Sequence, residues 1–531
     1  LQQYLVEMPG GKLQALDVAW DTKLKRWFHL YPDQTLQPGD GLHWTGPYKS
    51  WNARCAVCHQ TDFRKNYDPK KHNYNSRWSE LTVTCQACHG PAEAHIKWSQ
   101  SNETFDMSRW KGVDARGLVQ QFSRKNPQLE IETCAQCHAR RGGLGADSPP
   151  AASRFPDHHR LALLRDGLYF PDGQINDEVY VYGSFLQSKM YARGVRCSNC
   201  HEPHSGGLRA EGNAVCTQCH SLAGNEEFPS LKNLQYDDPA HHHHETGSPG
   251  AQCVNCHMPA KTYMQVDPRR DHSFRVPRPD LSEKINTPNA CNVCHQDQTA
   301  QWAAAKTKDW FPDGRTGKPH FGELFDAARR GGNAKAMQGL VDTALDLNQA
   351  AVVRATALHV LYNAADAQLI TQVVPLLKDE SDLVRRAAVR LMDRVSVQVR
   401  INLVAPLLRD PIRAVRLEAA RLMVAVPAEQ LPETLRTDAR KAVGEYQQTL
   451  LAQADLPETQ MQIAGLAMVT RNFSAAQEAL KTTLEMDPQF AQAWLTLVRI
   501  QSALGKHDEA RKTLEQAAVA LPDNGEVFLR L

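Results

Sequence analysis

A single pattern, Cys-x-x-Cys-His, accounts for every cysteine in this chain of 531 residues. The 14 cysteines form seven copies, numbered here as motifs 1 to 7 in chain order. Their cysteines and histidines are Cys55, Cys58 and His59; Cys85, Cys88 and His89; Cys134, Cys137 and His138; Cys197, Cys200 and His201; Cys216, Cys219 and His220; Cys253, Cys256 and His257; and Cys291, Cys294 and His295. Any fold of this chain must place seven units that each combine two thiols with one imidazole.

Three chemistries use a Cys-x-x-Cys pair: a redox dithiol, half of a zinc site and the covalent attachment of haem c. The histidine distinguishes them, because a dithiol or a zinc ribbon needs no histidine after the second cysteine, and a disulfide framework would not pair its cysteines only at this spacing. With 22 histidines in the chain, chance places one after a given pair in about 4% of cases. We therefore predict seven haem c groups per chain, each with the motif histidine as proximal iron ligand.

Composition limits the class of protein. The chain is 42% apolar and 23% charged, which is ordinary for a soluble protein, and its net charge of +2 argues against a nucleic-acid partner. No stretch approaches the 18 or more apolar residues of a membrane span. The chain starts with neither Met nor a signal peptide, so we expect a processed or partial chain. Haem c attachment is completed outside the bacterial cytoplasm, which predicts a periplasmic or extracellular location.

The motifs are confined to residues 55–295, which leaves about 34 residues for each haem, too few for a separate protein core around each one. Haems must then pack on one another. The segments between motifs are rich in Gly, Pro, Asn and Asp, so we predict mostly coil with short helices. The predicted fold class is mainly α with much coil: a multihaem cytochrome c domain at 1–310, called the haem half, followed by an α-solenoid at 311–531, called the repeat half.

Two periods define the repeat half. Val-Arg recurs at 353, 384 and 415, a period of 31 that resembles that of HEAT repeats. We therefore predict HEAT-like helical repeats over residues 311–450. From about residue 457 the period is 34, as between Pro488 and Pro522, and this period resembles that of tetratricopeptide repeats. We therefore predict tetratricopeptide-like repeats over residues 451–531. Such a solenoid either docks other proteins, or serves as a spacer or packs on its own haem half. Since no motif lies beyond residue 295, we expect a chain cut near residue 320 to keep its haem spectrum.

The sixth iron position decides whether a haem relays electrons or performs chemistry. Fifteen histidines lie outside the motifs, enough for all seven irons. His204 is too close to His201 to reach the other face of the same haem, so we predict that it binds a neighbouring iron. At least one of the four consecutive histidines at 241–244 is expected to be a ligand. The candidate distal ligands are His72, His95, His158, His204, His243 and His272.

The segments "TCQACHGPAEAH", "GVRCSNCHEPHSGGLRAEGNAVCTQCH" and "CVNCHMPAKTYMQVDPRRDHSF" resemble bacterial multihaem c-type cytochromes with C-terminal tetratricopeptide repeats. These are related to the group of cytochrome c nitrite reductase, hydroxylamine oxidoreductase and cytochrome c554. Family members carry a further N-terminal stretch with an eighth motif, so the resemblance implies a truncated chain or a partner that supplies that stretch.

The resemblance also implies candidate catalytic residues. Nitrite-reducing relatives mark their catalytic haem with Cys-x-x-Cys-Lys, which is absent here, whereas hydroxylamine-oxidising relatives keep the histidine and use a tyrosine. The catalytic candidates implied in this way are Tyr182, Tyr191 and Arg193; ordinary aromatic packing is the alternative.

Two functions stay open on the sequence. The first is electron transfer through closely packed haems, with the repeats as a docking scaffold. The alternative is an oxidoreductase that acts on a small nitrogen or sulfur oxyanion at one open haem. The expected partners are redox proteins and other cytochromes, in a homo-oligomeric or multi-subunit assembly, without nucleic acid.

Overall fold

The computed structural model describes residues 1–101, 106, 108, 110–114 and 116–530. The chain opens with an antiparallel sheet of three strands, Gln2–Met8, Lys12–Asp21 and Arg26–His29, in that order. Trp20 lies opposite Trp27 in the register of the second and third strands. Aromatic and β-branched residues favour such a half-buried surface. No helix within the described residues is both long and apolar enough to cross a membrane.

The haem half contains short helices joined by coil, because its Gly, Pro and Asn residues interrupt each helix after a few turns. Four two-stranded hairpins complete it: Tyr67–Asp68 with Asn73–Tyr74, Arg141–Gly143 with His159–Leu161, His201–Glu202 with Gly207–Leu208, and Ala260–Tyr263 with Asp267–Arg270. Its α-helices are Trp51–Arg54, Ala56–His59, Cys85–His89, Glu93–Gln100, Pro127–Ala135, Phe155–His158, Tyr182–Phe185, Lys189–Ala192, Ala214–Thr217, Pro239–His242, Cys253–His257, Pro279–Ile285, Cys291–Cys294 and Ala300–Trp310. Short 3₁₀ turns span Pro9–Gly11, Pro47–Lys49, Cys197–Asn199 and Pro249–Ala251.

The repeat half is a succession of longer helices. They are Phe321–Arg329, Ala334–Leu345, Ala351–Leu361, Ala367–Val373, Asp382–Leu391, Val397–Val404, Arg413–Met423, Glu433–Leu451, Pro457–Val469, Phe473–Met486, Ala491–Ala503, His507–Ala520 and Gly525–Arg530, with 3₁₀ turns at Val374–Lys378, Met392–Arg394, Ala405–Arg409 and Ala428–Gln430. Side-chain caps begin several of them; Asn333, for example, accepts the N–H of Ala336. The predicted fold class, mainly α with much coil and a helical solenoid, is confirmed.

The 31-residue period has a structural counterpart. Arg354 pairs with Asp379, and Arg385, 31 residues further on, pairs in the same way with Asp410. All four side chains are largely buried, so each pair holds one helical unit against the next. This ladder supports the HEAT-like interpretation, which stays a prediction.

The two halves share one hydrophobic core. A single cluster of buried side chains includes residues between 131 and 186 and residues between 325 and 450. Hydrogen bonds cross the same interface: Leu164 N–H donates to Thr356 Oγ1 at 3.1 Å, and Arg386 donates to the Leu161 carbonyl at 3.1 Å. The repeats therefore pack on their own haem half, which was one of the alternatives for the solenoid, and a chain cut near residue 320 would expose this cluster.

A second contact joins the repeats to the segment around motif 1. Lys65 Nζ lies 2.6 Å from Asp455 Oδ1, and both side chains are almost completely buried. The Tyr74 hydroxyl donates to the other oxygen of Asp455 at 3.1 Å, and burial together with this carboxylate raises the pKa of Tyr74. Arg54, next to the first motif cysteine, forms two hydrogen bonds with Glu458, at 2.7 and 2.9 Å.

We predict that Asp455→Asn lowers the free energy of unfolding by about 3–5 kcal/mol, because it leaves the Lys65 ammonium buried without a counter-charge. The matched control is Glu93→Gln, which removes the carboxylate of an exposed pair with Lys97 and is expected to cost less than about 1 kcal/mol. Urea unfolding followed by far-ultraviolet circular dichroism measures both. Equal effects of the two variants would show that the Lys65 pair is solvated.

Candidate haem-binding site

Local backbone geometry brings the three side chains of a motif together. Motifs 2 and 6 lie wholly within the helices Cys85–His89 and Cys253–His257. In motifs 3, 5 and 7 the histidine N–H donates to the carbonyl of the first cysteine at 2.9 Å. Residues i, i+3 and i+4 of a helical turn share one face, so the two thiols and the imidazole lie on the same side. None of the 14 cysteines, all within the described residues, forms a disulfide.

Four motif histidines face a histidine from elsewhere in the chain. Two of these partners, His204 and His272, were predicted as distal ligands. The four ring-centroid separations lie between 6.1 and 6.4 Å. The pairs are His89 with His204 at 6.3 Å and 13° between ring planes, His201 with His272 at 6.4 Å and 22°, His257 with His241 at 6.3 Å and 10°, and His295 with His244 at 6.1 Å and 36°.

These separations fit one metal ion between two imidazoles. A metal–nitrogen bond to histidine is about 2.0–2.1 Å, and an imidazole nitrogen lies about 1.1 Å from its ring centroid, so two coaxial bonds place the centroids about 6.2–6.4 Å apart. Direct ring-to-ring packing would bring the rings closer, as between His243 and Trp310, whose centroids are 4.3 Å apart. The residues present therefore fit an iron held between two histidines.

The other ring nitrogen of several paired histidines is already bound. His257 Nδ1 lies 2.7 Å from the Arg275 carbonyl, and His272 Nδ1 lies 2.9 Å from the Arg270 carbonyl. A metal-binding histidine usually donates one N–H to a carbonyl or carboxylate, which leaves the other nitrogen free for the metal. Burial lowers the pKa of His272 and so favours the neutral imidazole that binds metals.

The His89–His204 pair follows the same rule. His89 Nδ1 lies 3.2 Å from the Gln120 carbonyl, and His204 Nδ1 lies 3.1 Å from the Glu202 carboxylate. His204 is on the hairpin that also carries His201. It faces motif 2 rather than its own motif 4, as predicted from its short distance to His201.

Protein side chains alone supply little core around the later motifs. Between residues 195 and 300 only Val215, Phe228, Ala251, Leu281 and Ile285 are buried hydrophobic residues. About 100 residues cannot be held together by so few apolar side chains. Apolar haem rings between the motifs would complete this core, which is a second way in which the residues fit the group.

Three other predicted distal ligands, His72, His95 and His158, have no ring contact with a motif histidine in the described part of the chain. His72 is exposed, with Nδ1 3.1 Å from the Tyr67 hydroxyl. His95 Nδ1 lies 2.8 Å from the Arg116 carbonyl. This geometry gives no support to a ligand role for these three histidines.

Within the 241–244 tract, the predicted ligand His243 packs on Trp310 rather than on a motif histidine. Its neighbours His241 and His244 take the positions opposite motifs 6 and 7. The four consecutive histidines were visible in the sequence as a signal for these positions. The sequence did not show which of the four rings face a motif histidine.

Contacts between thiols of different motifs indicate which attachment sites are neighbours. The thiols of motifs 1 and 3, of motifs 3 and 4, and of motifs 5 and 6 lie close enough to interact, in the pairs Cys58–Cys137, Cys134–Cys197 and Cys216–Cys253. Cys200 and Cys219 are close enough to interact electrostatically, as are Cys256 and Cys291. The attachment sites of motifs 1, 3, 4, 5, 6 and 7 thus form an unbroken series.

The structure separates the three catalytic candidates. Tyr182 and Tyr191 line a cavity of about 80 Å³ between the two halves, beside the buried His159, whereas Arg193 is exposed and is not part of the lining. The Tyr191 hydroxyl donates to Gln128 at 3.1 Å, and burial raises its pKa to about 12. Within the described residues neither tyrosine has a ring contact with a motif histidine, and a catalytic role for either stays a prediction.

Comparison with known families identifies two segments. Residues 189–224 match the family model described as a doubled CXXCH motif, and residues 468–530 match a tetratricopeptide repeat model. No curated protein matches the chain. Among solved structures, the crystal structure of outer cell wall cytochrome OcwA is similar at 16% identity and a TM-score of 0.41, over 73% of this chain and 83% of that one. Neither fold nor function follows from similarity at that level. The chain carries a doubled CXXCH motif, of the kind that binds haem c, and tetratricopeptide repeats at its C-terminal end.

Proposed function

We propose that this chain is an exported multihaem c-type cytochrome that moves electrons between redox partner proteins through seven covalently bound haems. The observation that carries the proposal is the set of four motif histidines that each face a second histidine at a separation fitting an iron. When bound, haem c supplies an iron that accepts and returns single electrons.

In this proposal the protein fixes the sixth iron position. A second histidine leaves no open position for a substrate and gives a low-spin relay centre. His204 and His272 would do this for motifs 2 and 4. His59, His138 and His220 have no ring contact with another histidine within the described residues, so their sixth ligands are not assigned.

The order of the attachment sites supports transfer along the chain. Thiol contacts make motifs 1, 3, 4, 5, 6 and 7 a series of neighbours. Motif 2 lies beside motifs 3 and 4: Cys88 is close enough to interact electrostatically with Cys134, and His204, three residues from His201 on one hairpin, faces His89 of motif 2. Three residues span at most about 10 Å, so the two sites are close.

The repeat half has a structural role in this proposal. Its helices share a hydrophobic core with residues 131–186, and Asp455 and Glu458 bind the segment before and after motif 1. Surfaces of the repeats that face away from the haem half are then available for partner proteins, which is the usual role of tetratricopeptide repeats.

We predict seven haems per chain by pyridine haemochrome assay and intact mass, and a ferric spectrum in which at least four haems are low-spin. Five or fewer haems, or stoichiometric zinc, would contradict the haem assignment. A high-spin haem that binds nitrite or hydroxylamine and turns over with a reduced dye would make electron transfer an incomplete description.

We predict that His204→Ala and His272→Ala each convert one haem from low spin to high spin without loss of haem, since the thioether links remain. The control is His72→Ala, which removes an exposed histidine that faces no motif histidine and should leave the spin state unchanged. Low-temperature electron paramagnetic resonance of the ferric protein measures the change. An effect of His72→Ala equal to that of His204→Ala would reject the assignment.

A further inference from the structure

We propose that the histidine tract 241–244 is a clamp for two irons: His241 is the sixth ligand of the motif 6 iron, and His244 is that of the motif 7 iron. The inference rests on the proposed function, because it requires haem at both motifs. It assigns one ligand role to each of two residues that sequence analysis did not single out from the tract.

The ring-centroid separations at both positions lie within 0.3 Å of those of the other two histidine pairs, and the ring planes of His244 and His295 are tilted by 36°. His241 and His257 have centroids 6.3 Å apart and planes within 10° of parallel. His244 and His295 have centroids 6.1 Å apart. Each separation leaves room for one metal ion with two bonds to nitrogen.

The backbone explains how two histidines three residues apart face different motifs. Asp238 accepts the N–H of Ala240 and starts a single helical turn, Pro239–His242. In a continued helix, residues 241 and 244 would lie on one face. Instead His243 adopts the left-handed conformation, with φ 54° and ψ 31°, which ends the helix and redirects His244. Histidine is among the few non-glycine residues that adopt this conformation more often.

Hydrogen bonds leave the correct nitrogen free at the motif 7 position. His244 Nδ1 contacts the carbonyl of His242, so its N–H is used there and Nε2 remains for a metal. At the motif 6 position, His257 Nδ1 is held in the same way by the Arg275 carbonyl at 2.7 Å.

The two remaining histidines of the tract are held in other contacts. The His243 ring lies flat on Trp310, with centroids 4.3 Å apart and planes 11° from parallel. His242 Nδ1 accepts the N–H of His244 at 3.3 Å. Neither ring contacts a motif histidine in the described part of the chain. The tract therefore provides two ligands, His241 and His244, and two residues that link them.

Aromatic residues at the end of the helix Ala300–Trp310 hold the clamp in place. Trp310 covers His243, and Phe311 lies 5.6 Å from the ring of His241. The same helix contacts motif 7, because Trp302 lies 5.1 Å from the ring of His295. The histidine tract and motif 7 therefore both pack on the helix Ala300–Trp310.

The test uses four single variants of the full chain, with haem count by pyridine haemochrome assay and spin state by electron paramagnetic resonance. His241→Ala and His244→Ala should each convert one haem to high spin, and the double variant should convert two. Added imidazole should restore the low-spin state, because it can occupy the vacated position. The controls are His242→Ala, from the same tract, and His72→Ala at an exposed histidine, both of which should convert none.

The proposal is overturned if His241→Ala or His244→Ala keeps every haem low-spin at the normal haem count, or if a control converts a haem. A low haem count in the unaltered chain would instead reject the proposed function. Should an alanine variant lose its helical circular dichroism, His241→Met and His244→Met replace it. Methionine as sixth ligand raises the reduction potential, so one haem per variant should titrate at higher potential, and an unchanged titration would also overturn the proposal.

Discussion

Pairing between a motif histidine and a histidine from a distant part of the chain is the interaction on which the haem half depends. His89 and His204 are separated by 115 residues and His201 and His272 by 71, yet each pair is about 6 Å apart. With an iron between them, such pairs act as cross-links that close long loops and lower the entropy of the unfolded chain. That stabilisation would take the place of the hydrophobic core, since residues 195–300 contain few buried apolar side chains.

The repeat half supplies buried apolar surface, which cross-links between histidines cannot provide. Its first helices bury apolar residues such as Leu358 and Val384 in a cluster that also contains Leu164 and Tyr169 of the haem half. A solenoid of stacked helices is stiff along its length, because every unit packs on its neighbours. The segments that carry motifs 1, 3 and 4 thus pack on a stiff support. The buried Lys65–Asp455 pair adds a polar contact that specifies one register between the two halves.

The helical fold class could be predicted from local chemistry, and the structure confirms it. The helical class follows from the 31- and 34-residue periods, since amphipathic helices of fixed length must stack to bury their apolar sides. The expectation that His204 serves a neighbouring motif follows from chain length alone. Where a side chain lies depends on packing and could not be predicted in this way: Tyr182 and Tyr191 line a cavity at the interface between the halves, Arg193 is apart from them, and His243 packs on Trp310.

The sequence by itself determined the attachment chemistry of this protein, because two thiols and an imidazole within five residues form a complete local unit whatever the rest of the chain does. It also determined the helical repeats, whose spacing is equally local. Only the tertiary structure decided which histidine faces which motif histidine, since the partner can lie more than 100 residues away and its direction depends on the local backbone conformation, as at His243. It likewise decided that the repeats pack on the haem half, because complementarity between two surfaces cannot be read from either one alone.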